Sequence, residues 1–203
     1  MPTLHHSIPF TKERFYMEHA DRHGAASLER HLARYRWAAA LLNKGASVLH
    51  AGCGSGYGDD ILLEKAASVT SVDMSQEAVE YAKRENRSDA TYIQADLRTL
   101  NLSTRFDAVV CIEVIEHVGE SDQIKILDVL ASHLKDGGVL FITTPERSAT
   151  GPRTEFHDHE FSRPEFGAFL AGRFNNVAFS DPADFPHIPP DFVLAVCQGV
   201  KKY

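Results

Sequence analysis

Short apolar runs alternate with helical segments along most of the chain. Because each run is nearly continuous and is bounded by turn residues, we predict strands that are buried on both faces, as in a parallel sheet. Two further strands are predicted near residues 177–179 and 192–197. The pattern predicts an α/β fold with a doubly wound, seven-stranded, mostly parallel sheet. The five continuous runs are VLHAG at 48–52, VTSVD at 69–73, ATYIQ at 90–94, FDAVVCI at 106–112 and VLFITT at 139–144.

The pattern of the segment before the first strand predicts a helix. The segment contains neither glycine nor proline between Leu28 and Leu42, and its apolar residues recur at helical intervals. Further helical segments separate the later strands. The chain is of ordinary length for one domain, so we predict a single domain at 1–203, with a helical cap at 1–45 and the sheet-containing core at 46–203.

Composition narrows the class of protein. The chain has 203 residues, a formal net charge of −7 and 24% charged residues, which is typical of a folded globular protein. No apolar run approaches the roughly 18 residues that a membrane-spanning helix needs. Three cysteines fit no disulfide framework, and the first ten residues lack the apolar stretch of a signal peptide. We therefore expect a cytoplasmic protein without a membrane partner.

Three glycines stand at alternate positions after the first strand, at Gly52, Gly54 and Gly56. Glycine permits a sharp turn and a close approach of the backbone to a ligand, and the next helix offers free N–H groups. The dinucleotide pattern G-x-G-x-x-G fails in both registers, because Tyr57 or Asp59 stands where it needs glycine. No phosphate-binding Gly-Lys-Ser/Thr follows either. The loop predicts a nucleotide site of another kind at the carboxyl edge of the sheet.

Two aspartates stand at the ends of the next two strands. Asp73 closes the second strand, where a carboxylate accepts hydrogen bonds from both hydroxyls of a ribose. Asp96 follows the third strand, within reach of an adenine amino group. Each aspartate alone is also an ordinary turn residue. Their position at one edge of the sheet favours a site for adenosine.

Together these segments resemble the class I S-adenosylmethionine-dependent methyltransferases. The resemblance covers most of the chain and rests on five motifs in the order that the family shows. It implies a Rossmann-like core, S-adenosylmethionine as the cofactor, and methyl transfer as the reaction. The matching segments are VLHAGCGSG, SVDMS, QADL, FDAVVCIEVIEHV and LKDGGVLFITTP.

The resemblance also implies a role for each matching residue. The glycine loop would hold the methionine part of the cofactor, Asp73 the ribose and Asp96 the adenine edge. Tyr35 or Arg14, in the helical cap, would reach the methionine carboxylate. The implied cofactor-binding residues are His50, Gly52, Cys53, Gly54, Gly56, Asp73, Met74, Asp96, Leu97, Cys111, Ile112 and Tyr35.

His50 departs from the family pattern. The family usually has aspartate or glutamate at this position, where the acid helps to hold the ammonium group of the cofactor. A protonated histidine would repel that group. We therefore expect either weaker cofactor binding or a second carboxylate that compensates. This departure also keeps open a protein that binds S-adenosylmethionine without catalysis.

A second polar group follows the fourth strand, in the segment EVIEH. If a helical turn begins at Glu113, then Glu113, Glu116 and His117 share one face. The polar loop after the fifth strand adds His157 and His159. Since both segments leave the sheet at its carboxyl edge, we expect them beside the methyl donor. Carboxylates and imidazoles together are also suitable ligands for a divalent cation.

Two functional uses of this group remain open, beside a structural one in which Glu113 and Glu116 are first-turn carboxylates that the helix dipole favours. The segment resembles the Glu-x-x-Glu-His of the small-RNA 2′-O-methyltransferases, which implies a cation bound by Glu113, Glu116, His117 and one of His157 and His159. We take His159 as the fourth ligand. Similar segments occur in ubiquinone-type and other small-molecule O-methyltransferases, where the histidine acts as a base or contacts the substrate. In that case His117 is the catalytic base, with His157 second and the two glutamates beside them.

The acidic net charge disfavours a nucleic-acid acceptor, which normally needs a cationic track. The best candidates for such a track are Arg30, Arg34 and Arg36 on the first helix, but Glu29 and the acidic net charge reduce their positive charge. We therefore predict an S-adenosylmethionine-dependent methyltransferase that acts on an oxygen of a small molecule, of the sugar or metabolite type. The alternatives are metal-dependent 2′-O-methylation of an RNA terminus and non-catalytic binding of the cofactor.

Overall fold

Seven strands form one twisted sheet in a computed structural model that describes residues 16–17, 24–85, 89–148 and 154–202. The strands are β1 Ser47–Ala51, β2 Ser68–Asp73, β3 Thr91–Gln94, β4 Phe106–Ile112, β5 Leu134–Pro145, β6 Phe174–Ser180 and β7 Phe192–Val200. Their order in the sheet is β3–β2–β1–β4–β5–β7–β6. The strands β1 to β5 are parallel, and β7 is antiparallel to both of its neighbours. The predicted fold is confirmed.

Helices connect the strands and cover both faces of the sheet. They are α1 Ala25–Leu41, α2 Asp59–Leu63, α3 Gln76–Glu85, α4 Glu120–Ser132 and α5 Arg163–Ala171, with short 3₁₀ turns at Ile115–His117 and Pro182–Asp184. The strand β5 begins ahead of the predicted run at 139–144, because Leu134 pairs with Phe106 before the ladder shifts register. Of the predicted cap before residue 24, only residues 16–17 are described, so Arg14 lies outside the described residues.

Successive residues of each central strand point to opposite layers, as the period of a strand requires. Leu49 and Val109 pack in one apolar cluster with residues of α4 and α5. Val48 and Val110 pack in the other cluster, with α1 and α2. Because helices cover both faces of the sheet, the apolar residues of the central strands are buried on both sides.

Trp37 anchors α1 to the sheet. Its side chain is fully buried, its Nε1 donates to Ser180 Oγ at 3.0 Å, and its ring meets Phe141 edge-on at 5.8 Å between centroids. A buried indole that has its hydrogen-bond partner fixes a helix firmly. The first helix therefore stands in a defined position above the carboxyl edge of the sheet.

The chain reverses its direction along the sheet between β1 and β4. From β1 it proceeds outward through β2 and β3, and then crosses back to place β4 on the other side of β1. A crevice forms at such a reversal, outside the carboxyl ends of the strands. Among the described residues, no helix has the length and apolar character that crossing a membrane requires.

Candidate functional site

A cavity of about 880 Å³ lies at this crevice. The glycine loop, the ends of β2 and β4, one face of α1 and the loop after β5 together form its walls. It therefore joins the two groups of polar residues that the sequence singles out. Its lining includes Arg30, His31, Arg34, Tyr35, Gly52, Cys53, Gly54, Tyr57, Asp73, Met74, Asp96, Leu97, Ile112, Glu113, Glu116, His117, Phe156, His157 and Phe192.

The glycine loop turns sharply beside the cavity. Gly52, Gly54 and Gly56 have φ angles of 73°, 54° and 75°, which other residues rarely adopt. The N–H groups of Gly52 and Cys53 both donate to the Val72 carbonyl, at 2.8 and 3.0 Å, and so tie the loop to β2. Gly52, Cys53 and Gly54 line the cavity. Gly56 does not; it shapes the turn by donating to the Cys53 carbonyl at 3.0 Å.

Asp73 is held at the end of β2 by two backbone donors. Gly54 N donates to Oδ2 at 2.8 Å and Ser75 N donates to Oδ1 at 2.9 Å. A carboxylate oxygen accepts more than one hydrogen bond, so the group is also able to accept from hydroxyls in the cavity. Met74 beside it lines the same wall and is 63% exposed, which leaves an apolar side chain free for a flat ring.

The next stretch of wall contains Asp96, Leu97 and Ile112. The Arg98 guanidinium binds the Asp96 carboxylate, with Nε 2.9 Å from each oxygen, and this hydrogen bonding lowers the pKa of Asp96 below its usual value. Cys111 is a correction to the predicted set. It does not line the cavity but lies fully buried in the apolar cluster under α4 and α5, because neighbouring strand residues point to opposite faces. Burial raises the pKa of its thiol, so it is inert.

His50 is a second correction. It is fully buried behind the wall and does not line the cavity. Its Nδ1 lies 2.6 Å from Asp59 Oδ1, and its Nε2 lies 3.1 Å from the hydroxyl of Tyr35, which does line the cavity. A carboxylate does lie next to His50, at Asp59 on α2, but it contacts His50 rather than the cavity.

Arg34 is a wall residue that the sequence analysis placed on a surface track. Its side chain is buried and lines the cavity, and its guanidinium lies 4.7 Å above the Phe192 ring. Its Nη2 donates to His31 Nδ1 at 3.1 Å, while Nε has no hydrogen-bond partner among the described residues. The only sequence signal is that His31, Arg34 and Tyr35 share one helical face.

The turn after β4 does not begin at Glu113, contrary to the expectation. Glu113 has a left-handed backbone with φ 54°, and the 3₁₀ turn covers only Ile115–His117. Thr143 Oγ1 donates to Glu113 Oε1 at 2.7 Å, and Arg34 Nε lies 4.0 Å from the same oxygen. Glu113 therefore lines the cavity on the side of α1. It does not share a helical face with Glu116 and His117, contrary to the prediction from the sequence.

Glu116, His117 and His157 do come together. One ligand atom from each lies within 4.8 Å of the others. The Glu116 side chain is fully buried, and neither carboxylate oxygen has a hydrogen-bond partner among the described residues. Burial, and then the charge of Glu113, raises the pKa of Glu116 well above its usual value. An unpartnered buried carboxyl group of this kind is typical of a site that binds a ligand or an ion.

Both histidines of this group have the same proton arrangement. His117 Nδ1 lies 2.9 Å from the Phe156 carbonyl oxygen, and His157 Nδ1 lies 2.5 Å from Glu160 Oε1. A carbonyl and an ionised carboxylate only accept, so Nδ1 carries the proton in each ring. In the neutral rings, Nε2 is left with a lone pair that is able to accept a proton or bind a cation.

His159, which the sequence assigns to a cation, lies outside this group. Its Nδ1 is 3.0 Å from Gln123 Oε1, and its Nε2 is 3.6 Å from Glu120 on α4. The backbone N–H groups of Asp158 and His159 both donate to the Glu116 carbonyl, at 2.9 and 3.2 Å. These bonds fix the loop so that His157, and not His159, stands beside Glu116.

A methyltransferase domain family matches residues 17–190 of the chain. Among curated proteins, the chain is 35% identical over 118 residues to a ubiquinone biosynthesis O-methyltransferase of Xanthomonas campestris, a match that covers 55% of the chain and 48% of that protein. It is 34% identical over 109 residues to the Coxiella burnetii protein of the same name, covering 52% and 46%. The chain thus spans about half the length of the curated relatives it matches.

Solved structures share the fold at lower identity. A Pyrococcus horikoshii protein superposes with a TM-score of 0.73 at 17% identity, covering 91% of this chain and 96% of that one. The N-methyltransferase NodS of Bradyrhizobium japonicum, solved with S-adenosyl-L-homocysteine, superposes with a TM-score of 0.66 at 20% identity, covering 90% and 91%. At these identities the likeness establishes the fold alone.

Proposed function

The chain belongs to the methyltransferase domain family, and we propose that it transfers a methyl group from S-adenosylmethionine to a hydroxyl oxygen of a small molecule. One observation carries the proposal: a single cavity has a nucleoside-type wall at Asp73 and a pair of proton-accepting histidines at its other end. The curated relatives, ubiquinone biosynthesis O-methyltransferases, support oxygen as the acceptor atom.

The first half of the cavity fits the cofactor. The glycine loop leaves its backbone open to a ligand, and a Cβ on Gly52 would meet Val114 Cγ2 at 2.3 Å, so the close packing there depends on glycine. Asp73 accepts from ribose hydroxyls, while the exposed Met74 packs on the adenine. The cofactor supplies a methyl group on a sulfonium, which is a good leaving group. The protein therefore has mainly to align the acceptor and exclude water.

The second half of the cavity fits the acceptor. His117 and His157 offer Nε2 lone pairs, and their Nδ1 protons are held by Phe156 and Glu160. One of these rings takes the hydroxyl proton as the acceptor oxygen bonds to the methyl carbon and the sulfur–carbon bond breaks. His117 stands first, because it lines the cavity from the turn that directly follows β4.

The first helix also supports a small acceptor. Arg34 is buried in the cavity wall, and Arg36 pairs with Glu29 at 2.8 Å, so these residues do not form the open cationic track that an RNA would need. The acidic net charge of −7 agrees with this assignment. A neutral or anionic small molecule fits the cavity better than a polynucleotide.

Titration of S-adenosylmethionine into the purified protein tests the cofactor assignment. We expect micromolar binding by calorimetry, followed by release of S-adenosylhomocysteine when phenols, catechols and sugars are screened as acceptors. Absence of binding would contradict the proposal at its first step. Binding without release in the presence of any acceptor would favour the non-catalytic alternative.

A second candidate function of the site is to bind a divalent cation at Glu116, His117 and His157. The observation that favours it is the buried Glu116 carboxyl group, which has no hydrogen-bond partner among the described residues and lies beside two Nε2 lone pairs. Histidines whose Nδ1 protons are held by an oxygen acceptor are the usual ligand arrangement. A bound cation would lower the pKa of an acceptor hydroxyl and so assist its attack.

Calorimetric titration of Zn²⁺ and Mn²⁺ into the metal-stripped protein tests the cation. We expect one binding site, which Glu116→Gln removes while S-adenosylhomocysteine still binds. The control is Glu120→Gln, an exposed glutamate near His159. If neither cation binds and chelators leave the activity unchanged, the group works as a base without a metal.

A further inference from the structure

A buried group lies directly behind the cavity wall and has no part in the chemistry described above. Asp59 and His50 are both fully buried, with Asp59 Oδ1 2.6 Å from His50 Nδ1. Ser71 Oγ donates to the same carboxylate oxygen at 2.8 Å. On its other side, His50 Nε2 lies 3.1 Å from the Tyr35 hydroxyl, and Tyr35 lines the cavity.

With Asp59 ionised and His50 neutral, these contacts place each proton on one atom. An ionised carboxylate only accepts hydrogen bonds, so the proton shared by Asp59 and His50 is on Nδ1. With that single proton on the ring, Nε2 has a lone pair and accepts from the Tyr35 O–H. The Tyr35 oxygen keeps two lone pairs, which serve Tyr57, a second hydrogen-bond partner of this hydroxyl, and the cavity. Tyr35 therefore offers the cavity a hydrogen-bond acceptor and not a donor.

The Tyr35 ring is also held in place. A Cβ on Gly58 would lie 2.2 Å from Tyr35 Cε1, which shows that the loop backbone packs directly against the ring. The rings of His50 and Tyr57 meet it edge-on, at 5.2 and 5.4 Å between centroids. Burial raises the pKa of the Tyr35 hydroxyl well above its usual value, so the group stays neutral.

We infer that Asp59 and His50 form a buried positioning pair that directs the Tyr35 oxygen to accept a hydrogen bond from the ammonium group of the bound cofactor. The inference rests on the proposed function, because it requires S-adenosylmethionine in the cavity. From the sequence, we expected Tyr35 to contact the methionine carboxylate. A hydroxyl that already donates its hydrogen bond to His50 has no second hydrogen to donate to a carboxylate. Arg34, the neighbouring cation in the same wall, suits the carboxylate.

The pair also accounts for the unusual residue at position 50. Where the family has an acid, this chain has a histidine whose partner Asp59 supplies the negative charge. Asp59 accepts the Nδ1 proton, so in the neutral ring Nε2 is the acceptor, and the effect reaches the cavity through the Tyr35 oxygen. Asp59 and His50 are therefore positioning residues, and Tyr35 is the group that touches the ligand.

Calorimetry with three ligands tests the contact. S-Adenosylhomocysteine carries both the ammonium and the carboxylate, its deaminated derivative lacks only the ammonium, and methylthioadenosine lacks the whole amino-acid part. We expect Tyr35→Phe to weaken binding of S-adenosylhomocysteine about 10-fold and to leave the other two affinities unchanged. Equal losses for all three ligands, or none, would overturn the inference. Tyr92→Phe, which alters a buried tyrosine outside the cavity, is the control.

Asp59→Asn tests whether the pair acts through Tyr35. We expect the same selective loss of about 10-fold, because the amide that replaces the carboxylate is able to donate to Nδ1, which moves the ring proton to Nε2 and turns the Tyr35 hydrogen towards the cavity. No further loss is expected when Asp59→Asn is added to Tyr35→Phe, because both changes remove the same contact with the ligand. Additive losses would contradict the shared path. Thermal melting checks the fold of each variant; should Asp59→Asn fail to fold, His50→Leu replaces it, since leucine offers Tyr35 no hydrogen-bond acceptor.

Binding to the wild-type protein distinguishes a failure of the proposed function from a failure of the inference about Tyr35. If the wild type binds none of the three ligands, the proposed function itself fails, and the inference fails with it. If it binds S-adenosylhomocysteine and Tyr35→Phe binds it equally well, only the inference is contradicted.

Discussion

At the scale of single residues, the chemistry of the cavity depends on where a few protons lie. His117 and His157 donate hydrogen bonds from Nδ1 to the Phe156 carbonyl and the Glu160 carboxylate. This leaves two Nε2 lone pairs beside Glu116. A buried polar group without a hydrogen-bond partner costs about 1–3 kcal/mol or more. A ligand, a proton or a cation that the group receives would offset this cost.

We expect His117→Asn to lower kcat by about 100-fold and to leave the KM for S-adenosylmethionine within about 2-fold, because the ring serves the acceptor and not the cofactor. Steady-state kinetics with a saturating acceptor measures both constants. The matched control is His187→Asn: His187 is exposed and has a left-handed backbone that asparagine tolerates. A KM effect as large as the kcat effect would place His117 at the cofactor instead.

At the scale of elements, the glycine loop and the turn after β4 are packed against each other. Gly52 has a left-handed backbone, and its missing side chain leaves room for Val114, which leads into the turn of Ile115–His117. The cofactor half and the acceptor half of the cavity are therefore in contact through two residues. A change at one is expected to move the other.

For this reason we expect Gly52→Ala to abolish measurable cofactor binding and to lower the melting temperature. Its Cβ would lie 2.3 Å from Val114 Cγ2, and the backbone strain at φ 73° adds about 1–2 kcal/mol. Gly45→Ala is the control, since Gly45 lies outside the cavity, has a similar φ of 81°, and a Cβ there has no atom within 4 Å. Calorimetry and thermal melting compare the two. Retained binding in Gly52→Ala would show that the loop adapts.

Asp107 joins three strands at the opposite edge of the sheet. Hydrogen bonds from Lys135, and then from Ser47, lower its pKa from 3.8 to about 2. A carboxyl group whose pKa is lower in the folded state stabilises it above the unfolded value of 3.8, and that stabilisation is lost as the pH falls towards 2.

We therefore expect Asp107→Asn to lower the melting temperature at pH 7 by about 1–4 °C, or about 0.5–1 kcal/mol, since the ion pair is half exposed. The difference between the variant and the wild type should shrink through pH 4 to 3 and vanish near pH 2. Melting curves over this range measure it. A difference that is independent of pH would mean that the side chain contributes only through packing.

At the scale of the whole molecule, the cavity lies between α1 and the carboxyl edge of the sheet. Trp37 fixes α1 to β6 through Ser180, and Arg34 and Tyr35 on the same helix reach the cavity. Ligand binding is therefore expected to bring helix and sheet together as one unit. A ligand that binds only the folded state stabilises it by mass action.

Saturation with S-adenosylhomocysteine at 100 times its dissociation constant is expected to add about 2.7 kcal/mol, which corresponds to a rise of about 5–10 °C in melting temperature. The fluorescence of Trp37, the one tryptophan of the chain, follows the transition. Adenosine alone, at the same multiple of its own dissociation constant, should give an equal rise, because the effect depends only on saturation. Destabilisation by the ligand would contradict binding to the folded state.

Local sequence patterns account for the order of the elements and for much of the cavity. The continuous apolar runs predict the strands, because a strand buried on both faces needs apolar residues at every position. Glycines after β1 and the aspartate that ends β2 predict Gly52, Gly54 and Asp73 in the wall, since the carboxyl ends of parallel strands meet at one edge.

Only the tertiary structure decided which side chains reach the cavity. Cys111 turns away from it into the layer of α4 and α5, because strand residues alternate between faces. His50 faces the layer of α1 and α2, and Tyr35 lies between it and the cavity. Arg34 enters the wall because Trp37 fixes the rotation of α1. His157 rather than His159 joins Glu116 because backbone bonds to the Glu116 carbonyl fix the loop, and such bonds between distant segments leave no periodic trace in the sequence.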